Sequence, residues 1–280
     1  MHDFYAPSID SGPAGAPLDQ AHGLRRLFAG RARHVLPLAA NPHVAFSGIV
    51  LDRLAAVLAA AGHEVLVVDA SSMSPPPHEL AAVELAACIE RLAPHVSYLP
   101  ARGLPRAHVD TRGSAASFID ALQQAAPQAD VILLHADGID LARIFKRRAV
   151  RPILLGADHP ESIKHAYANI KLLVQRCALM SFDLLLAAAP TSPRAVNIAE
   201  SLAGCADNFL GATLLNTALI DPAGDPSAPA DDALGPLLAA QLALDAMPLM
   251  AAAERLPSPP MPHLPHLPRQ DQTPNRSVLR

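Results

Sequence analysis

Two groups of polar residues in this 280-residue chain are spaced for chemistry. The first is Asp19, Gln20 and Arg25, within Leu18-Asp19-Gln20-Ala21-His22-Gly23-Leu24-Arg25-Arg26-Leu27-Phe28. Leu18, Ala21, Leu24, Leu27 and Phe28 recur at helical spacing and lay one apolar stripe along a helix. Asp19 is placed to cap that helix, because a carboxylate there accepts backbone N–H groups and meets the positive end of the dipole. Such a helix either packs on its own domain or shows its polar residues to a partner. The second group is Asp69 and Asp137, which follow the apolar runs Val65–Val68 and Val131–Leu134. A carboxylate at such a place either serves a ligand beyond the strand ends or caps the next loop or helix.

Other constellations carry less. His263 and His266 have an H-x-x-H spacing, but they sit in a Pro-rich stretch without acidic neighbours. Ser47-Gly48 and Ser192-Pro193 lack the G-x-S-x-G elbow of a hydrolase. Cys88, Cys177 and Cys205 are odd in number, far apart and set among apolar residues, so they read as buried thiols rather than as disulfides or metal ligands. No metal site is expected.

The elements that must position the two aspartates follow an alternating pattern. His34–Ala40 is an apolar run, Phe46–Ala60 has helical periodicity ending at Gly62, and Val65–Val68 is a second apolar run leading into Asp69. Strand, helix, strand at this spacing is a βαβ unit and favours a parallel sheet with right-handed crossovers. The pattern continues with strands expected at 96–99, 131–134, 152–155, 182–186 and, at an edge, 212–219. Helices are expected at 80–92, 114–126, 141–148, 161–178, 193–206 and 231–244. The expected fold is thus α/β: a single doubly wound, mostly parallel sheet of about seven or eight strands with helices on both faces. Four segments follow: a flexible Pro/Gly-containing leader at 1–17, a helix at 18–33, the α/β domain at 34–245, and a low-complexity Pro-rich tail at 246–280, expected to be disordered.

Composition bounds the function. Half of the residues are apolar and the formal net charge is −4, which argues against a generally nucleic-acid-binding surface. Polar residues or Pro interrupt each apolar run before it could span a bilayer. The opening Met-His-Asp-Phe-Tyr-Ala-Pro lacks a basic region followed by an apolar one, so no signal peptide is expected and the cytoplasm is the expected compartment.

A nucleotide-hydrolysing sheet of this kind carries, after its first strand, a loop of Gly residues whose amides cradle phosphate and a Lys followed by Ser or Thr. The residues between the first expected strand and the helix after it run through Ala40-Asn41-Pro42-His43-Val44-Ala45-Phe46-Ser47-Gly48. The chain has only Lys146, Lys164 and Lys171, and no Gly-Lys dipeptide. Pro42 removes an amide donor, and Phe46 crowds a close backbone approach.

These residues carry a resemblance. Asp19-Gln20-Ala21-His22-Gly23-Leu24-Arg25 resembles the activator motif of the FlhG (FleN) family, MinD/ParA-type regulators of flagellar number and placement. Residues 155–173, with Pro160, Ser162, Ile163, Ala166, Tyr167, Ile170 and Lys171, resemble a second family segment, and Asp207-Asn208-Phe209-Leu210-Gly211 a third. Together the likeness covers roughly residues 18 to 222. It implies that Asn41, Val44 and Phe46 stand where the family has glycines. Pro42 stands in place of its signature Lys, Ser47 of its phosphate-binding Lys and Gly48 of its Mg²⁺-binding Thr. Asp69 keeps the first strand-end Asp, Ser71 replaces the second, and His135 stands near the metal-side Asp, with Asp137 a displaced substitute. The site reads as a degenerate nucleotide site, so the ATP and Mg²⁺ of the family are not expected as cofactors and the chain is expected to be a pseudo-ATPase.

The resemblance further implies that the N-terminal helix binds an FlhF-type GTPase of the signal-recognition kind and stimulates it. Asp19 would cap, Gln20 would reach the partner's GTP site, Ala21, Leu24 and Leu27 would face the partner's groove, and Arg25 would pair with carboxylate or phosphate. A homodimer is compatible with the family. Leu234–Met250, where the family has a membrane-binding helix, contains no Lys or Arg, so membrane association is expected to be weak or to come through the partner at the flagellar site of the inner membrane. The alternatives are an active MinD/ParA-type ATPase cycling on the membrane, and a MinD-like scaffold for another apparatus.

Overall fold

A computed structural model describes residues 33–146, 148–189, 191–224 and 232–246. The candidate helix at 18–33, apart from Arg33, and the tail beyond residue 246 lie outside the described residues, as do the leader residues.

Eight strands form one sheet. They are β1 (His34–Ala39), β2 (Val65–Asp69), β3 (Glu90–Ala93), β4 (Val96–Pro100), β5 (Val131–Ala136), β6 (Ile153–Ala157), β7 (Ser181–Ala187) and β8 (Thr213–Ile220). Their order is β3-β4-β2-β5-β1-β6-β7-β8, and every pairing is parallel except β3 with β4. Between them run α1 (Ser47–Ala60), α2 (Leu104–Ala107), α3 (Ser117–Ala125), α4 (Gly138–Ile144), α5 (Pro160–Cys177) and α6 (Pro193–Leu210), with α7 (Leu234–Ala246) after β8.

The central strands are buried on both faces, which is why they read as continuous apolar runs rather than as alternating ones. Leu36, Leu38, Val131 and Leu133 point to one side, where they meet Val50, Leu54 and Leu58 of α1 and Leu234, Leu237 and Leu238 of α7. Ile132, Leu134 and Leu154 point to the other, against Phe118 and Leu122 of α3, Leu141 of α4, Ile170 of α5 and Leu202 of α6. Pro37 lies within the central strand β1, although it cannot donate to a ladder. The pairing of β1 with β6 begins only at Leu38, one residue beyond it.

The doubly wound sheet follows the expectation, with β8 at one edge. The expected helix at 80–92 is a correction. Two 3₁₀ turns (Glu79–Ala82 and Ala86–Cys88) occupy that stretch, followed by β3. Only Ala81 and Cys88 are buried there, while Leu80, Val83 and Leu92 are exposed, too little buried apolar surface to hold a helix against the sheet. Meanwhile β4 would otherwise be an open edge. Hydrogen bonding to it decides the local structure, and the charged Glu90 and Arg91 suit a short edge strand. The helix expected at 141–148 begins earlier, at Gly138, straight after β5. A Cβ at Gly138 would lie 2.3 Å from Asn169 Oδ1 of α5, so only glycine permits this close helix–helix approach.

Candidate functional site

In an open parallel sheet, ligands bind beyond the carboxyl ends of the strands. Here the loops after β1, β2, β5 and β6 meet at that edge.

The β1 loop is closed by its own hydrogen bonds. Ala40 N–H donates to Ala136 O at 2.9 Å. The Asn41 side chain is 3% exposed. Its Nδ2 donates to Leu155 O (2.9 Å), Ser162 O (2.8 Å) and Ser162 Oγ (3.0 Å), while its Oδ1 accepts from His43 N–H at 3.1 Å. Asn41, which stands at an expected glycine position, thus ties the loop to β6 and α5. Pro42 is exposed. Phe46 is the N-cap of α1, at φ 59°, and its ring is 70% exposed. It takes a left-handed conformation that glycine would adopt without strain. Ser47 and Gly48 begin α1, and a side chain at Gly48 would meet open space. The loop carries no lysine: Lys146 Nζ bonds Arg112 O, Lys164 Nζ pairs with Glu161, and Lys171 lies within α5.

Asp69 and Asp137 are both at this edge, but each is occupied by neighbouring protein groups. His135 Nδ1 lies 2.8 Å from Asp69 Oδ1, which also accepts from Ser71 N–H at 3.4 Å. His135 is 2% exposed and its Nε2 has no hydrogen-bond partner among the described residues. Tyr98 of β4 lies beside this pair. Its phenol is pushed up to about 12 by burial and then by the Asp69 carboxylate. Asp137 accepts from Ser72 N–H (3.3 Å) and Ser72 Oγ (3.2 Å), stitching the β5 end to the β2 loop instead of bonding its own helix.

Sequence inspection did not find the histidines that gather beside the β1 loop. The His43 ring lies 5.9 Å from that of His165 and 6.1 Å from that of His159, centroid to centroid, and His159 Nε2 is 3.0 Å from His43 O. Burial and then His43 hold His165 below its ordinary value. His159 and His165 stand six residues apart at the start of α5, and His43 joins them only because α5 starts beside the β1 loop. No group of three or more His, Cys, Asp or Glu among the described residues is arranged to hold a metal. Next to His159, a groove of about 640 Å³ runs between α5 and α6, lined by Asp158, Pro160, Ile163, Arg194 and Ile198 among others. Neither Asn169, which donates to Ala40 O at 3.1 Å, nor Ser162 had a local signal for its role, since both partners come from other segments.

Among the described residues no helix is long and apolar enough to cross a membrane. No family model matches the sequence, and no curated protein does. Solved structures do resemble it. A protein assigned to plasmid partition from Borrelia burgdorferi B31, bound to AMPPNP, superposes with a TM-score of 0.54 at 9% identity, over 76% of this chain and 99% of that one. A second plasmid partition protein from Borrelia burgdorferi gives 0.50 at 9% identity, over 69% and 93%. The cell division ATPase MinD of Pyrococcus furiosus gives 0.45 at 16% identity, over 76% and 98%. At such identities likeness extends to fold and not to activity. The sheet order, the two helical layers and the superpositions on the two plasmid partition proteins give the chain the doubly wound α/β fold of those proteins.

Proposed function

We propose that this chain is a MinD/ParA-fold regulator that acts by binding and has lost its own ATPase. The observation that carries this reading is the pairing of Asp69 with His135: the strand-end carboxylate faces a buried imidazole, at 2.8 Å, where a metal-holding carboxylate would need to be open. The β1 loop supports the same conclusion. A phosphate cradle needs free amides and a cation, and this loop spends Asn41 on α5, carries Pro42 and has no lysine. The residues present therefore do not suit the Mg²⁺ and ATP of the fold family.

The partner follows from the motif Asp19-Gln20-Ala21-His22-Gly23-Leu24-Arg25. On its likeness to the FlhG activator, the chain regulates flagellum number and placement by stimulating an FlhF-type GTPase. Phosphoryl transfer is catalysed largely by positioning and charge stabilisation, so one inserted Gln or Arg changes such a rate greatly. Two measurements test the reading. Calorimetry of the full chain with Mg·ATP should show no binding at micromolar nucleotide; micromolar affinity lost on Ser47 or Asp69 substitution would restore the ATPase alternative. Steady-state GTP hydrolysis by the GTPase should rise on adding the full chain. Gln20→Ala should lower the rate more than the binding, and Leu24→Asp should abolish both by putting a charge in the anchoring stripe. Wild-type behaviour of both variants would end the partner assignment.

A further inference from the structure

Concave charged surface also lies away from the β1 loop. On the helical layer formed by α3–α6, the loop 110–114 folds over the ends of α4 and α5 and leaves two adjoining cavities. One, of about 400 Å³, is lined by Asp110, Arg112, Lys146 and Arg148. The other, of about 230 Å³, is lined by Arg143, Lys146 and Arg176. Lys146 is shared by both. Five cations thus face one carboxylate, in a chain whose formal net charge is −4.

Cations are common at helix C-termini, where they complement the dipole, and this accounts for Arg143 and Arg176. It does not account for Arg112, which lies on a loop, or for the way the loop is held. Asp110 Oδ1 accepts from Arg112 N–H and Ser114 N–H, both at 2.8 Å. Lys146 Nζ donates to Arg112 O at 2.8 Å, and Ala115 N–H to Arg143 O at 3.0 Å. These bonds lock the loop against α4 and fix Lys146 between the cavities. Arg143 is partly neutralised by Asp140 at 2.7 Å, and Arg148 stands 3.7 Å from Asp120. Among the described residues Arg112 and Arg176 make no ion pair. Their guanidinium forks remain available, and such forks match phosphate oxygens bidentately.

We propose that the paired cavities bind a compact anion bearing two or more phosphate groups, one phosphate per cavity with Lys146 between them. The larger cavity is in the range of small-ligand sites. The negative charge of the rest of the chain disfavours a long polyanion, which would lie across more of the surface. The site is separate from the β1 loop: α5 has 18 residues, so its two ends are roughly 27 Å apart. It does not depend on the regulatory role proposed above.

Calorimetry of the full chain with sodium tripolyphosphate at low salt tests it. One binding event per chain, weakening as salt is added, is expected. Arg112→Ala and Arg176→Ala should each reduce affinity by about tenfold, without moving the thermal midpoint, because both side chains are exposed. Arg91→Ala, on the exposed edge strand β3, should change nothing. Sedimentation with phosphatidylcholine vesicles, with and without cardiolipin, whose headgroup carries two phosphates, distinguishes the source: capture by the anionic vesicles that tripolyphosphate reverses assigns the phosphates to a lipid headgroup, and tripolyphosphate binding without capture assigns them to a free ligand. Absence of both kinds of binding overturns the proposal, as does binding that survives both arginine substitutions. Binding to duplex DNA that tripolyphosphate fails to displace overturns it too, because the cations then serve an extended polymer.

Discussion

Two buried carboxylates, Asp69 at the strand ends and Asp183 within β7, are handled in opposite ways. Asp183 is wholly buried and surrounded: Arg151 Nε stands 3.0 Å from Oδ2, Gln241 Nε2 donates to Oδ2 at 2.7 Å, and Asn216 donates to Oδ1 through its backbone N–H (3.1 Å) and Nδ2 (2.9 Å). Gln241 also donates to Arg151 O at 2.9 Å. This one residue therefore fastens β8 and α7 to the sheet, and Gln241 is a buried polar residue of α7. Asp69 instead has one imidazole, the Tyr98 phenol and one long backbone contact. Both sites keep buried nitrogens without a hydrogen-bond partner among the described residues: Nε2 of His135, and Nε and Nη2 of Arg151. The two differ in place and in partner: Asp183 sits inside the sheet against a buried guanidinium, whereas Asp69 stands at the edge where open parallel sheets place ligands and is turned inward on a histidine and a tyrosine.

The sharpest way to break the contrast is Asp183→Ala. It leaves Arg151 charged and buried without its partner, which should cost about 3–5 kcal/mol, read from the urea midpoint of the full chain. Asp69→Ala should cost less, about 1–3 kcal/mol, because it strands no buried guanidinium. It should also let the raised Tyr98 phenol fall from about 12 towards its ordinary 10.0, visible in tyrosinate absorbance. Equal losses of stability from the two substitutions would erase the distinction. Phe46→Gly tests whether the β1 loop stores strain. Relief of the left-handed backbone should stabilise by about 1 kcal/mol, and a clear destabilisation would mean that the exposed ring has a packing role.

The smallest effect is on pH. His165 is held below its ordinary 6.5 by burial and by His43, so the unfolded chain takes up the proton first. Stability is therefore full above about pH 6.5 and falls as pH drops towards the folded value, below which the loss is complete. His108, likewise lowered by burial, adds to the same trend. His165→Gln should flatten part of the decline in thermal midpoint between neutral and mildly acidic pH, and an unchanged slope would remove His165 as a contributor.

Most of the sheet was legible in the sequence because its strands are buried on both faces, and continuous runs such as Val131–Leu134 have few other structures to adopt. The 80–92 stretch was not legible. Its local Ala and Leu content favours helix, and what overrides it is an unfilled edge on β4 that no local pattern announces. The same holds at the site. The absence of lysine from residues 40–48 needs no structure, and Asp69 and Asp137 fall at the strand ends where the pattern put them. That Asn41 would be consumed by Ser162, or that Arg112 would come to stand beside Lys146, is written nowhere near those residues.

The sequence by itself determined most of the elements, the 80–92 stretch apart, and which charges the β1 loop lacks, because periodicity and residue type act locally along the chain. Only the tertiary structure decided that His135 would meet Asp69, that His43, His159 and His165 would gather, and that scattered arginines would share two cavities. Those contacts join segments tens of residues apart, and their partners are selected by strand order and helix packing rather than by anything within reach of the residues themselves.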